Sequence, residues 1–309
     1  MSNIKDLIII GGGPAGLNAA LYASRANVDV VFVEKGAPGG KLSSTWKIEN
    51  WLGTVLTEGW ELATQFYNHA IKYGATHKYG KVESVQKNDQ NNLFEVFLEN
   101  GEKLLSKTVL VSTGTENRKP TFIENFMQFE NRGVSYCAIC DGPLFAKQPT
   151  IVLGGGNSAV EESAYLSKIA SQVYLVVKDE EFTAEKSLVE ELQKLENVKV
   201  FFSSQITKLE GSDSLEAAYV KLADGSEIKL DVASFFPYIG MIPQTNFVKD
   251  LGVTNDHGYI LVNDKMETSV KGLYAAGDVI DKKVRQIVTA AGDGATAAKS
   301  ISDYLNTLN

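Results

Sequence analysis

Two glycine-rich turns, each set between a short apolar run and a helix-like stretch, leave very few folds open to this chain. The first is Gly11-Gly12-Gly13-Pro14-Ala15-Gly16. Before it, Leu7 to Ile10 are uninterrupted apolar residues, as in a parallel strand buried on both faces. After it, Leu17 to Ala23 read as a helix, and Val28 to Val33 as a second strand ending at Glu34. This is the βαβ pattern that binds a dinucleotide. Gly11 serves the tight turn, Gly13 lets a pyrophosphate approach the backbone, and Gly16 lets helix and strand pack closely. Glu34 stands about 20 residues on, where an acid accepts from ribose hydroxyls. A glycine turn alone can be only a turn; strand, helix, second strand and terminal acid together make this one a nucleotide site.

The unit recurs. Ile151-Val152-Leu153 leads into Gly154-Gly155-Gly156-Asn157-Ser158-Ala159, a helix runs through Glu162, Tyr165 and Leu166, and Val173 to Val177 form the matching second strand. Tyr22-Ala23-Ser24 falls close to Tyr165-Leu166-Ser167 when the copies are overlaid, and Lys178 falls where Glu34 stood. The copies lie too far apart for a solenoid repeat, so they mark two nucleotide-binding domains, for which 309 residues leave room. A protein that holds two dinucleotides usually passes a hydride or an electron pair between them.

Between the copies, Gly80 to Leu98 alternates like strands, with polar turns at Asn88 to Asn92 and at Asn100-Gly101. Thr108 to Gly114 is another buried strand ending in glycine, and Thr115 to Pro120 reads as a non-periodic linker closed by proline. A similar break occurs at Gly240 to Pro243, followed by Gly272 to Asp278 and a helix from about Gln286 to Tyr304. The fold expected is α/β, with two Rossmann-like, three-layer dinucleotide-binding domains. The second is inserted into the first: residues 1–116 with 245–309 form one domain and residues 117–244 the other. Two thin linkers permit one domain to rotate against the other.

Cys137 and Cys140 are the only cysteines, in Tyr136-Cys137-Ala138-Ile139-Cys140-Asp141-Gly142. Such a pair can close a small disulfide ring, and at the start of a helix the dipole lowers a thiol pKa. A zinc site needs about four ligands, and His69, His77 and His257 are all remote in sequence, so no metal is expected. The thioredoxin-like spacing favours redox chemistry. Two cysteines in a chain this long suit a reducing cytosol better than a disulfide scaffold. Leu7 to Ile10 is too short for a signal-peptide core, and no apolar run is long enough to span a bilayer, so the expected location is cytoplasmic, away from membranes. A net charge of -8 argues against nucleic acid as a partner.

Taken in order, these residues resemble the low-molecular-weight thioredoxin reductases over essentially the whole chain. The resemblance rests on Gly11 to Gly16, Ile48-Glu49-Asn50-Trp51, Ser112-Thr113-Gly114, Cys137 to Gly142, Gly154 to Glu162, Ala276-Gly277-Asp278 and Arg285-Gln286. It implies FAD in the discontinuous domain. Gly11, Gly13, Pro14, Ala15 and Gly16 would sit at the pyrophosphate, with Glu34 and Lys35 at the adenosine ribose. Gly40, Lys41, Leu42, Asn50, Gly114, Gly277, Asp278, Arg285 and Gln286 would line the ribityl chain and ring. Lys41 departs from the family, which more often has glutamine there. In the inserted domain Gly154, Gly156, Asn157, Ser158, Ala159 and Glu161 would cradle the nicotinamide nucleotide. The resemblance also implies that Cys140 faces the flavin, that Cys137 attacks a protein disulfide, and that Asp141 protonates the leaving thiolate. Thioredoxin is the implied partner, a homodimer the implied assembly, and rotation of the inserted domain the implied link between half-reactions.

One stretch departs further. The family reads the 2′-phosphate of NADPH with a histidine and several arginines after the second strand of the inserted domain. Here the run is Val177-Lys178-Asp179-Glu180-Glu181-Phe182-Thr183-Ala184. Arginine binds a phosphate bidentately, whereas lysine offers a point charge. The donor is therefore NADPH through Lys178, NADH with Asp179 or Glu180 on free ribose hydroxyls, or another donor such as ferredoxin. Another redoxin as substrate, and a non-catalytic flavin redox sensor, are the alternatives to a thioredoxin-disulfide reductase. Ferredoxin–NADP reductases of similar architecture lack the cysteine pair.

Overall fold

The computed structural model describes residues 4–45, 47–48, 50–88 and 90–308. Glu49 of the Ile48 to Trp51 motif and Asp89 of the turn at Asn88 to Asn92 lie outside the described residues. The chain divides into two compact units, Met1–Glu116 with Ile242–Asn309, and Asn117–Met241.

The first unit opens with β1 (Lys5–Ile10), α1 (Pro14–Arg25) and β2 (Val30–Glu34). A small ribbon of β3 (Lys47–Ile48) and β4 (Thr57–Glu58) precedes α2 (Gly59–Lys72) and β5 (Thr76–Tyr79). The hairpin β6 (Val82–Asn88) and β7 (Leu93–Leu98) then leads into the long strand β8 (Lys103–Val111) and the short β9 (Thr115–Asn117). The second unit holds α3 (Ala138–Asp141), β10 (Pro149–Leu153), α4 (Asn157–Leu166), β11 (Gln172–Val176), α5 (Lys186–Leu192) and β12 (Val198–Phe201). It continues with β13 (Gln205–Gly211), β14 (Leu215–Lys221), β15 (Glu227–Asp231) and β16 (Ser234–Pro237). The return crossing is β17 (Met241–Pro243), and β18 (Leu273–Ala275) and α6 (Ile287–Asn306) complete the first unit.

In the first unit β5, β2, β1 and β8 lie side by side, all parallel. The far edge of β8 is shared: Lys103 to Ser106 pair antiparallel with β7, and Val109 to Val111 pair parallel with β18. Alternation along β1 sends Leu7 and Ile9 toward a cluster with α1 and α6, and Ile8 and Ile10 toward a cluster with the β6–β7 hairpin and residues 248–280. Both faces are covered, which is why β1 is an unbroken apolar run rather than an alternating one. Each fully buried isoleucine contributes about 1.5–3 kcal/mol relative to exposure. His77 belongs to this core, stacked on Phe32 at 4.8 Å and set edge-on to Tyr67 at 5.6 Å.

The second unit repeats the plan with β12, β11, β10 and β16, again all parallel. Val152 faces α4, while Ile151 and Leu153 face the antiparallel sheet of β13, β14 and β15. Both units are thus Rossmann-like, and the chain is α/β.

The expected linker at Thr115 to Pro120 is more ordered than its sequence suggested. Thr115–Asn117 pairs with Met241–Pro243, and the Arg118 N–H donates to the Gly240 carbonyl at 3.0 Å. The two crossings of the chain therefore run together as one two-stranded ribbon. Among the described residues, no helix is long and apolar enough to cross a membrane.

Candidate active site

The first glycine turn has the stereochemistry that a dinucleotide loop needs. Gly11 has φ +104°, and a Cβ there would stand 2.6 Å from the Ser112 carbonyl oxygen. A Cβ on Gly16 would meet the Gly11 carbonyl oxygen at 2.0 Å, so this glycine is required for α1 to pack on β1. Gly13 caps α1 without a side-chain acceptor for the first helical amides, and nothing lies within 4 Å of where its Cβ would be. Pro14 at the first helical position and buried Ala15 keep that approach narrow and free of side chains. Open space before a helix N-terminus, with amides directed into it, is where a pyrophosphate fits. Glu34 ties the loops together, accepting from Gly12 N at 2.7 Å and Gly36 N at 2.8 Å. Gly40 packs over this turn, since its Cβ would lie 3.2 Å from the Gly13 Cα.

Around the turn the structure gathers other candidates in the same unit. Lys41 Nζ donates to Thr115 Oγ1 at 2.9 Å. Burial pushes its pKa down, opposed by the Asp278 carboxylate. Asp278 follows β18 and the turn residue Gly277 (φ +83°). Its Oδ1 is buried with no hydrogen-bond partner among the described residues. Burial pushes this carboxyl up, while Lys41, Lys282 and Arg285 hold it down. An orphaned acceptor of this kind suits a ribityl hydroxyl donor, so the residues present fit FAD. Asn50 Nδ2 donates to Gln286 Oε1 at 3.1 Å, and Gln286 also closes a capping box at the start of α6.

Other candidates are already engaged elsewhere. Leu42 is 3% exposed and packs with Ile48, Leu62 and Ala63, so only its backbone is available to a ligand. Lys35 pairs with Glu116 at 3.3 Å on the surface. Arg285 lies over the Tyr259 ring at 4.5 Å, with long bonds to the Asp278 and Ile280 carbonyls. Gly114 adopts φ +64° and accepts from Gln244 N at 3.1 Å, and Thr113 Oγ1 donates to the Gln244 carbonyl at 2.6 Å. The individual role of Ser112 was not apparent in the sequence: its hydroxyl bonds the Ile10 and Gly11 carbonyls and fixes the bottom of the turn.

The second glycine turn is built alike. Gly154 has φ +143°, and a Cβ there would meet the Tyr238 carbonyl oxygen at 2.5 Å. Gly156 caps α4 without a side-chain acceptor, Asn157, Ser158 and Glu161 are exposed, and Ala159 is buried against β10 and β11. Asn157 and Glu185 bond reciprocally, through Asn157 Nδ2 to Glu185 Oε1 at 3.2 Å and Glu185 N to Asn157 Oδ1 at 2.8 Å. Thr183 N donates to the Gly155 carbonyl, and Phe182 meets Phe202 edge-on at 4.9 Å. The loop after β11 is thereby laced to the glycine turn. Lys178, Asp179, Glu180 and Glu181 are all exposed on it.

Cys137 and Cys140 form a disulfide at one end of α3. The expectation of activation by a helix dipole needs correcting, because α3 is a single turn. The local stabiliser is the Cys140 N–H, which donates to Cys137 Sγ at 3.2 Å. Asp141 does not use its side chain as a cap. Its Oδ2 accepts from Ser135 Oγ at 2.5 Å, Ser135 Oγ accepts from Cys137 N at 3.2 Å, and its Oδ1 is buried and unpartnered. Burial pushes the Asp141 carboxyl up, against the Ser135 bond. A carboxyl favouring its protonated form beside a disulfide is suited to proton donation. Two neighbours were not anticipated from sequence. Tyr238 Oη accepts from Ala138 N at 3.0 Å, and Glu162 on α4 has a buried, unpartnered Oε2. Among the described residues no cluster of His, Cys, Asp and Glu could hold a metal.

Two dinucleotide-type folds and a Cys-x-x-Cys disulfide define a class, the flavin- and nicotinamide-linked disulfide oxidoreductases. Residues 5–294 match the pyridine nucleotide-disulphide oxidoreductase family. The chain is 48% identical to the thioredoxin reductase of Mycoplasmopsis pulmonis, covering 98% of each, and 38% identical to that of Bacillus subtilis, covering 99% of this chain and 96% of the relative. The crystal structure of thioredoxin reductase from Streptococcus pyogenes superimposes with a TM-score of 0.89 at 36% identity, covering 99% of this chain and 100% of that one. The chain belongs to the thioredoxin reductase family.

Proposed function

We propose that the chain reduces the disulfide of thioredoxin, or of a thioredoxin-like protein, with Cys137 and Cys140 as the exchanging pair. The observation that carries this reading is the buried, unpartnered Asp141 oxygen beside a disulfide whose sulfur already accepts a backbone N–H. When bound to the first unit, FAD supplies two electrons drawn from a nicotinamide nucleotide. Gly11, Gly13, Pro14, Ala15 and Gly16 would hold its pyrophosphate and Glu34 its adenosine ribose. Asp278 would accept from the ribityl chain, and Lys41, Asn50 and Gln286 would lie toward the ring. In the exchange, Cys137 attacks the partner disulfide and Cys140 resolves the mixed disulfide, while Asp141 carries a proton between Cys140 and the leaving thiolate. The β9–β17 ribbon is the pivot through which the Cys pair serves both its electron source and a bulky partner.

The donor reading is NADPH, with Lys178 facing the 2′-phosphate. The exposed Asp179 to Glu181 run favours a second reading, NADH with Asp179 or Glu180 on the ribose hydroxyls. The test of the activity uses Cys140→Ser. It should accumulate a covalent adduct with thioredoxin through Cys137 and cease turnover, whereas Cys137→Ser should form none. Turnover that survives in Cys140→Ser removes the pair from the mechanism, and absent turnover in the intact protein favours a redox sensor.

A further inference from the structure

Asp293 is the only charged residue between Arg285 and Lys299, in a stretch of α6 made mostly of alanine and glycine. Ala290, Ala297 and Ala298 of that stretch pack into the cluster shared with α1. The Asp293 side chain is 17% exposed, and a carboxylate so far withdrawn from water is costly unless it is paired. Its Oδ2 accepts twice, from Lys282 Nζ at 2.5 Å and from the backbone N–H of Gly277 at 3.1 Å. Lys282 is withdrawn as well, with 13% of its side chain exposed. An ion pair taken out of water adds little net stability over an apolar pair. The second bond, to an amide outside the helix, therefore calls for its own account.

That amide belongs to the residue before Asp278. Gly277 has φ +83°, and a Cβ on it would stand 2.8 Å from Ala15 Cβ, in the first turn of α1. One residue beyond Asp293, a Cβ on Gly294 would stand 2.2 Å from the Ala15 carbonyl oxygen. The turn after β18 and the middle of α6 thus close on the same residue of the first glycine turn, and the Asp293 side chain joins them. The turn is also tied through its carbonyls. Ile280 N donates to the Gly277 carbonyl at 3.2 Å, and Arg285 Nε to the Asp278 carbonyl at 3.4 Å. Asp293 ties it through an amide.

We infer that Asp293 is a positioning residue of the flavin site: by holding the Gly277 N–H it fixes the backbone from which Asp278 presents its unpartnered Oδ1, with Lys282 as counter-ion. This rests on the reading of Asp278 as the ribityl acceptor. The charges suit the arrangement. Burial pushes the Asp278 carboxyl up, Lys41, Lys282 and Arg285 hold it down, and Asp293 opposes them. Engaged by Asp293, Lys282 lends Asp278 its field without taking up Oδ1.

The test follows FAD release from diluted holoprotein by the rise of flavin fluorescence. Native protein is compared with Asp293→Ala, Asp293→Asn, Asp278→Ala and the double variant Asp293→Ala with Asp278→Ala. Asp293→Ala should weaken FAD binding by roughly tenfold, the effect of one hydrogen bond to a charged acceptor. Asp293→Asn loses the charge that Lys282 pairs with but keeps an oxygen for the Gly277 N–H. Its FAD affinity should therefore stay within about threefold of native. The double variant should bind no more weakly than Asp278→Ala, because a residue that acts through Asp278 then has nothing left to position. Asparagine as damaging as alanine, or losses that multiply in the double variant, would reduce the pair to a structural clamp and overturn the inference. Should Asp293→Ala strand the Lys282 ammonium and fail to fold, Lys282→Met with Asp293→Ala leaves no unpaired charge. That variant should show the same loss, and native-strength binding in it overturns the inference too. If Asp278→Ala itself retains FAD at native strength, the ribityl reading fails. If it loses FAD while Asp293→Ala does not, only the role of Asp293 fails.

Discussion

Asp278 shows how a single buried oxygen can report a ligand. Three cationic side chains hold its carboxyl down electrostatically, yet Oδ1 has no partner among the described residues. A hydrogen bond to a charged group contributes about 1.5–3 kcal/mol. Asp278→Ala should therefore weaken flavin retention by roughly tenfold to a hundredfold, read as flavin absorbance lost on gel filtration. Glu162 makes a second residue-scale prediction, about stability. Its folded pKa of about 7 lies above the ordinary 4.5, so the folded state holds this proton more tightly than the unfolded chain. The native stability from this group is complete below about pH 4.5 and is lost as the pH rises to about 7. Glu162→Gln should match the native melting temperature near pH 4.5 and exceed it at pH 8; a constant offset between the two curves would contradict the shift. At this scale legibility follows sequence separation. The setting of Gly16 and Glu34 could be read because what they meet, the Gly11 carbonyl and the Gly12 and Gly36 N–H groups, lies within a few residues of one βαβ unit with a fixed spacing. Tyr238 could not, because it reaches Ala138 across 100 residues. For Leu42 the limit is different: motif position says nothing of side-chain direction, and its side chain packs in the core with Ile48, Leu62 and Ala63.

Among the elements, β1 and β10 were legible because burial on both faces demands unbroken apolar runs that few other structures produce. The glycine turns that follow are as constrained. Gly16→Ala would place a methyl group 2.0 Å from the Gly11 carbonyl oxygen, which is backbone and cannot swing away. The variant should either fail to fold or part α1 from β1 and lose flavin, and a native-like flavin content with unchanged denaturant midpoint would refute the assignment. Two elements escaped the sequence reading. The β9–β17 ribbon joins residues far apart in the chain, each too short and too irregular to show a strand period. Such pairing depends on the partner strand more than on intrinsic preference. The helix after Cys137 was expected to supply a dipole, but it is one turn long, and a single backbone N–H does that work on Cys137 Sγ instead.

For the whole molecule, charge decides which nucleotide would reduce it. On the proposed reading the second glycine turn would serve NADPH and NADH alike, since Gly154, Gly156 and the start of α4 would address the pyrophosphate that both share. Discrimination is left to the loop after β11, where exposed Lys178 is followed by three exposed acids. At about 4 Å and an effective dielectric of about 20, one charge pair is worth up to about 4 kcal/mol, and exposure reduces this well below that limit. Lys178 and its acidic neighbours thus pull in opposite directions. An anaerobic titration of the holoprotein with each nucleotide, followed by bleaching of the flavin, separates the readings. If Lys178 holds the 2′-phosphate, NADPH should bleach the flavin at the lower concentration, and Lys178→Ala should raise the NADPH requirement by roughly tenfold, equivalent to about 1.4 kcal/mol, while leaving NADH unchanged. If the acids hold the ribose hydroxyls, NADH should bleach first, and Asp179→Asn with Glu180→Gln should erase that advantage. Bleaching by neither nucleotide, with reduction by a strong chemical reductant intact, would assign the electrons to another donor such as ferredoxin.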